Sequence, residues 1–373
     1  AYDITEINYG NGITVLHVYS PVVAGEISLQ ACSLGGFAKL NSPVTGESAL
    51  VGFVEDAVDR SGVGVHTSRE IKLYKEEKNI SLQSWIGEFM QCQIAVAPAA
   101  SLDSVLQLIH LRFTSPSVDE QEFDQVKMDL DAFLQKQADP YWASYAAMNA
   151  MIYGDDEYFG IFPSLSQIES FTPQKALAIY EDLFIDTSGL VVVITGDIPL
   201  DTVEELSETY IASLPMESKD VIIDQPLLPS GINRLSVSSG ENQASSGFDI
   251  GFQGFILGPN QSSPGWARIF RAESVGTFIT AVLEDRLFER LRQELGITYS
   301  AATISVRIQA MFEPRFYTEI NVDVPIESIP LAYQIVLEEI ESLRITPIAE
   351  EEFASFQQSI VRETDFISNE IIL

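Results

Sequence analysis

Leu111-Arg112-Phe113-Thr114-Ser115-Pro116-Ser117-Val118-Asp119-Glu120-Gln121-Glu122-Phe123 returns later in the chain as Leu343-Arg344-Ile345-Thr346-Pro347-Ile348-Ala349-Glu350-Glu351-Glu352-Phe353, with a short gap after the threonine and another before the acidic run. Each copy leaves an amphipathic, helix-spaced stretch, breaks at a proline and restarts on carboxylates, which the positive end of a helix dipole favours in a first turn. A strand precedes the amphipathic stretch both times. Self-similarity of this kind marks two related units. The fold expected is therefore α+β: two homologous lobes, each a mainly antiparallel sheet packed against helices.

Outward from the first copy, Ile13 to Val18 follows an Asn11-Gly12 turn signal and reads as a strand, as does Ala24 to Ser33. A helix is expected from Gly46 to Arg60, because Leu50, Val51, Val54 and Val58 fall at helical spacing and Ser61-Gly62 ends it. A charged helix over Ser68 to Lys78 and paired strands over Ile80 to Ile86 and Gln91 to Ala97 follow. Helices then dominate from Ser101 to Phe184, with breaks near Ser115-Pro116, Pro140 and Gly154. A buried strand from Leu190 to Asp197 and an amphipathic helix from Leu200 to Ser213 close the lobe. Pro215 to Gly231 holds three prolines and no periodicity, the composition of a linker. This sets the first lobe at 1–215, a linker at 216–231 and the second lobe at 232–373. In that second lobe, strands are expected at Leu235 to Ser239 and Ser246 to Gly254. A long helix then runs from Pro264 to Leu295, strands follow at Tyr299 to Gln309 and Phe316 to Val324, and two helices come last.

Composition narrows the function classes. The 373 residues are 46% hydrophobic and 10% aromatic, ordinary for a folded chain with a sizeable core. No apolar run approaches the ~20 residues of a spanning helix, and the first residues lack the order of a signal peptide, so any export signal would lie outside this sequence. A net charge of −33 without any Lys/Arg cluster argues against nucleic acid or an acidic membrane as partner and for a well-solvated surface. Cys32 and Cys92 lie in separate strand-like stretches. One disulfide can form between them, a disulfide framework cannot, and the pairing stays open.

The histidines are His17, His66 and His110, and none has a second His, a Cys or a pair of carboxylates three or four residues on, so a complete metal site within the chain is not expected. No Gly-x-Ser-x-Gly elbow occurs, Gly62-Val63-Gly64 is too short for a phosphate loop, and carboxylates are too numerous for a pair to stand out.

The segment Asp285-Arg286-Leu287-Phe288-Glu289-Arg290-Leu291-Arg292-Gln293-Glu294-Leu295-Gly296-Ile297-Thr298-Tyr299-Ser300 places Leu-Arg at the end of a long helix, then Leu-Gly, then a Tyr opening a strand. It resembles the second-lobe signature of the pitrilysin/insulinase family of inverted-zincin metallopeptidases. Asn11 to Val15 resembles that family's opening strand, Val193 to Asp197 its late first-lobe strand, and Ser342 to Pro347 its last helical hairpin. The resemblance covers nearly the whole chain.

One departure decides what the resemblance implies. Active members carry His-x-x-Glu-His on the first long helix, where two His bind zinc and the Glu acts as general base on a zinc-bound water. Here the helix reads Gly52-Phe53-Val54-Glu55-Asp56, and only Glu55 keeps its place. The family's third ligand would fall near Asp129 or Asp131. The family pairs an active half with a degenerate one around a chamber that holds the substrate peptide, and this chain is most similar to the degenerate C-terminal half of bacterial two-half zinc proteases. The resemblance thus implies no metal and no peptidase activity in this chain alone, zinc in an active partner half of the same or a separate polypeptide, and a peptide substrate. It also favours a periplasmic setting and implies a second lobe that is C-terminally truncated. Arg292 and Tyr299 would act on the partner's site, holding the substrate carbonyl and developing oxyanion. The structural alternative for this pair is a helix-capping arginine and a core tyrosine. For the whole chain the alternatives are a scaffold subunit of the same fold, or an independent enzyme using a carboxylate or serine site.

Overall fold

A computed structural model describes residues 3–21, 25–39, 47–153, 162–184, 187, 189–215, 231–236, 246–255, 265–298, 302–309 and 315–358. The chain divides into two compact units between Ser238 and Ser239. Segment 216–230, most of the expected linker, lies outside the described residues.

The first unit is a six-stranded sheet with helices packed on it. Its strands are β1 (Asp3–Asn8), β2 (Thr14–Tyr19), β3 (Glu26–Leu34), β4 (Ser81–Ile86), β5 (Met90–Pro98) and β6 (Val191–Gly196), in the order β1-β2-β6-β3-β5-β4. Alternate residues of β3 and β4 are buried, the period of a strand with one face on a core. The Asn11-Gly12 signal is a real turn: Gly12 takes φ +82° and donates its N–H to the Tyr9 carbonyl, while Asn11 reaches the carbonyls of Ile211, Ala212 and Leu214. Four of the five pairings are antiparallel, as expected, and β2 with β6 is parallel. That exception has a cause, since a parallel neighbour needs a long crossover and the helices between β5 and β6 supply it. β1 went unread in the sequence because Ile4 faces solvent and Ile7, three residues on, is only half-buried, so no apolar alternation marks it.

The helices of this unit are α1 (Gly36–Lys39), α2 (Val51–Arg60) entered through a 3-10 turn (Glu47–Leu50), α3 (Ser68–Lys78), α4 (Leu102–Thr114), α5 (Glu120–Leu134), α6 (Pro140–Tyr153), α7 (Leu165–Ser170), α8 (Pro173–Phe184) and α9 (Leu200–Tyr210). α3 opens on a Thr67/Glu70 capping box and closes on Asn79 in the left-handed region. The core beneath the sheet joins Leu29, Val54, Val58, Leu106, Ile109, Tyr180, Leu183 and Val192. Cys32 and Cys92 face each other across β3 and β5 and form a disulfide.

The second unit has β7 (Gly247–Phe255), β8 (Thr303–Gln309) and β9 (Arg315–Asp323) in the order β7-β9-β8, all antiparallel. α10 (Gly265–Leu287) continues as a π-helical stretch (Phe288–Glu294), followed by α11 (Ile329–Ile345) and α12 (350–358). Leu283, Leu287, Leu291, Ile304, Ile320, Val322, Ile335 and Val336 form its core. The strand expected at Leu235 to Ser239 is absent at Leu235 and Ser236, which are irregular and exposed, and its remainder lies outside the described residues. Both units are α+β. The repeated sequence marks the same feature in each: α4 breaks after Thr114 and α5 begins with Glu120, while α11 breaks after Ile345 and α12 begins with residue 350.

Candidate functional site

α2 carries the motif positions. Leu50, Val54, Ala57 and Val58 are buried, which turns Gly52, Glu55, Asp56, Asp59 and Arg60 away from the core centre. Ser61 stops the helix, its N–H donating to Val58 and its hydroxyl to Ala57. Gly52 faces open space, with no heavy atom within 4 Å of where a Cβ would stand. A side chain would fit there, and none is present.

Glu55 is committed to the sheet. The Ile86 N–H on edge strand β4 donates to its carboxylate. Burial raises its pKa to about 7, against the pull of that N–H and with help from the charges of Asp59 and Asp56. Asp59, one turn on, accepts the N–H of Ser84 at 2.8 Å and its hydroxyl at 2.9 Å. The edge of β4 thus ends on α2 carboxylates, a device that blunts an exposed strand edge. Asp56 is raised by burial and lowered by Arg60. Arg60 in turn contacts Asp56 at 3.1 Å and Asp129 of α5 at 2.8 Å. Of the two downstream acids named from the sequence, Asp129 is the one tied to α2.

Behind α2 lies a buried polar network that sequence reasoning missed. Arg112 of α4 donates to Asp59 at 2.6 Å and to Gln93 at 3.0 Å, and Gln93 donates to Ser84 at 3.0 Å and to the Tyr180 hydroxyl at 2.9 Å. Arg112 is 5% exposed and Gln93 fully buried. Burial drives the Tyr180 phenol strongly upward, so it stays protonated. The available signal was an arginine inside the apolar run Leu108 to Phe113, since a buried guanidinium demands a carboxylate partner.

The histidines play no part at α2. His17 contacts the Ile198 carbonyl at 3.1 Å, His110 the Tyr210 carbonyl at 2.8 Å, and His66 is exposed in the turn after Gly62. No group of three or more His, Cys, Asp or Glu among the described residues could hold a metal ion. The residues do not fit a zinc site: Gly52 has no side chain, and the Asp56 and Asp129 carboxylates are engaged by the Arg60 guanidinium.

In the second unit Arg292 lies near the end of the π-helical stretch, exposed, with its guanidinium carbon 5.3 Å from the Phe288 ring centre. The stretch ends on Gly296 at φ +61°, whose N–H donates to the Arg292 carbonyl, while the Ile297 N–H donates to Leu291. Leu291 is fully buried and anchors this turn. Arg286 and Arg290 face otherwise, pairing with Glu352 at 2.7 Å and Glu339 at 2.7 Å. Tyr299 lies outside the described residues; the strand it was expected to open begins at Thr303.

Fold and motif helix together define a degenerate domain of metallopeptidase type. Residues 170–360 match the peptidase M16 inactive domain, and the chain belongs to that family, of the insulinase/pitrilysin type. It is 23% identical over 220 residues to the "Probable zinc protease PqqL" of Haemophilus influenzae, an alignment covering 59% of this chain and 23% of that protein. The periplasmic protease PqqL from Escherichia coli superposes with a TM-score of 0.84 at 18% identity, over 99% of this chain and 40% of that one. A peptidase M16 inactive domain from Pseudomonas fluorescens gives 0.72 at 15% identity, over 99% and 87%. The structural likenesses speak for the fold, and this chain spans about a quarter of the length of the curated relative.

Proposed function

We propose that the chain is the non-catalytic half of a bacterial-type zinc metalloendopeptidase, walling part of the substrate chamber and presenting Arg292 and Tyr299 to an active half that carries the zinc. The observation that carries this reading is the family match over a chain whose motif helix has Gly52 and Asp56 where ligands would stand. Membership alone supports a partner half. The exposed Arg292 on a π-helical turn supports the finer role, because such turns recur where a helix re-aims a functional side chain. A guanidinium and a phenol can together hold a peptide carbonyl and its oxyanion, as charge-assisted donors do. The partner half would lie in the same polypeptide or in a separate subunit, with a peptide as the shared substrate. Two observations favour a periplasmic setting: the likeness to a periplasmic protease of E. coli and the Cys32–Cys92 disulfide, which belongs in an oxidising compartment. Residues 216–231 are proposed as the linker between lobes 1–215 and 232–373. No helix among the described residues is long and apolar enough to cross a membrane.

The test is turnover of a peptide by this chain reconstituted with an active half. Arg292→Ala and Tyr299→Phe should each lower turnover by about 10²- to 10³-fold, the loss of one preorganised oxyanion donor. Thermal melts should stay at the wild-type value. Turnover at the wild-type level in both variants would remove the catalytic assignment and favour a scaffold role.

A further inference from the structure

The motif helix already holds a cation, and it is part of the chain. Arg60 lies one turn after Asp56 on α2 and reaches Asp56 with one terminal nitrogen and Asp129 with the other, at 3.1 and 2.8 Å. A guanidinium can do this because its planar fork offers separate donors to two carboxylates, where an ammonium is a point charge. Asp56 and Asp129 raise one another's energy when charged, with Asp59 adding to the repulsion at Asp56. In a chain of net charge −33, packing α5 against α2 at this point requires a positive group between the carboxylates. Gly52, a turn before Asp56, leaves open space beside them.

We propose that Arg60 is the resident cation of this site: it clamps α2 to α5 through Asp56 and Asp129 and, by occupying both carboxylates, excludes a divalent metal ion. The Arg60–Asp56 arm is an i,i+4 pair on α2, while the Arg60–Asp129 arm joins helices far apart in sequence and makes the clamp a tertiary staple. Its three side chains are 35%, 49% and 43% exposed, so the staple is open to salt.

Two readouts on the full chain test this. Melts of wild type, Arg60→Ala, Asp129→Asn and the double variant should show each single change lowering the melting temperature by about 1–3 °C at low salt. The double variant should melt no lower than Arg60→Ala, and about 0.5 M salt should erase the differences. Metal analysis after dialysis against zinc forms the second readout. Gly52→His, which adds a ligand and leaves Asp56 and Asp129 in place, should retain no zinc while Arg60 is present and about one per chain once Arg60→Ala is added. Strictly additive melting losses overturn the clamp. Equal zinc in the two backgrounds, whether none or one, overturns the exclusion.

Discussion

Arg112 and Arg344 hold the same place in the two copies of the repeated sequence, and the two units treat them differently. Arg112 is buried, donates to Asp59 and Gln93, and stands at the centre of a network that ties α2, α4, β4, β5 and α8 together. Arg344 has a side chain 74% exposed and pairs with Glu341 on its own helix at 3.2 Å. Both copies make the same local structure, a helix ending on Leu-Arg and a restart on carboxylates. What differs is the cover. The first unit lays a six-stranded sheet and α2 over its copy, whereas the second shows three strands among the described residues and leaves this end of α11 exposed. Local sequence therefore decides the turn, and the surrounding layer decides whether the same arginine is a core partner or a surface charge.

The largest expected effect follows directly. Arg112→Ala leaves Asp59 without its cation in a mostly buried site and should cost about 3–5 kcal/mol, while Arg344→Ala should stay within about 0.5 kcal/mol. Urea unfolding of both variants measures the gap, and similar losses would break the comparison.

A somewhat smaller effect tests the α2 carboxylates. The Glu55 pKa in the folded chain is raised to about 7, above its value in an unfolded one, so the folded state binds the extra proton and stability falls as pH rises from the ordinary glutamate range to about 7. Above that, the charged carboxylate costs up to about 3 kcal/mol. Glu55→Gln still accepts the Ile86 N–H but has no charge to bury. It should be more stable than wild type at pH 8 and lose that advantage toward pH 4.5. Parallel pH profiles for the two proteins would show that Glu55 does not titrate in this range.

The smallest effect concerns the units themselves. A protease should cut first within 216–231, and the two pieces should each melt within about 0.5 kcal/mol of their stability in the uncut chain. First cuts inside α10 would move the boundary and undo the comparison of two lobes.

Much of this was legible in residue order because it depends on near neighbours. The spacing of Leu50, Val54 and Val58 placed α2, the charged run Ser68 to Lys78 placed α3, the Asn11-Gly12 turn signal placed β2, and the apolar run from Leu190 placed β6. The loss of ligands at Gly52 and Asp56 could be read from side-chain identity alone, and the family's segment at Asp285 to Ser300 could be recognised without coordinates. β1 could not, because its two isoleucines, exposed Ile4 and half-buried Ile7, are three residues apart and write no apolar alternation into the sequence. Nor could the insertion of β6 beside β2, which a crossover of several helices decides. The pairing of Cys32 with Cys92 waited on the register of β3 against β5, the joining of Arg60 to Asp129 on how α5 packs against α2, and the burial of Arg112 on the sheet above it. Helices, turns and missing ligands are set by residues within a turn or two of one another. Partners for charges and thiols are set by distances that exist only once the layers have closed.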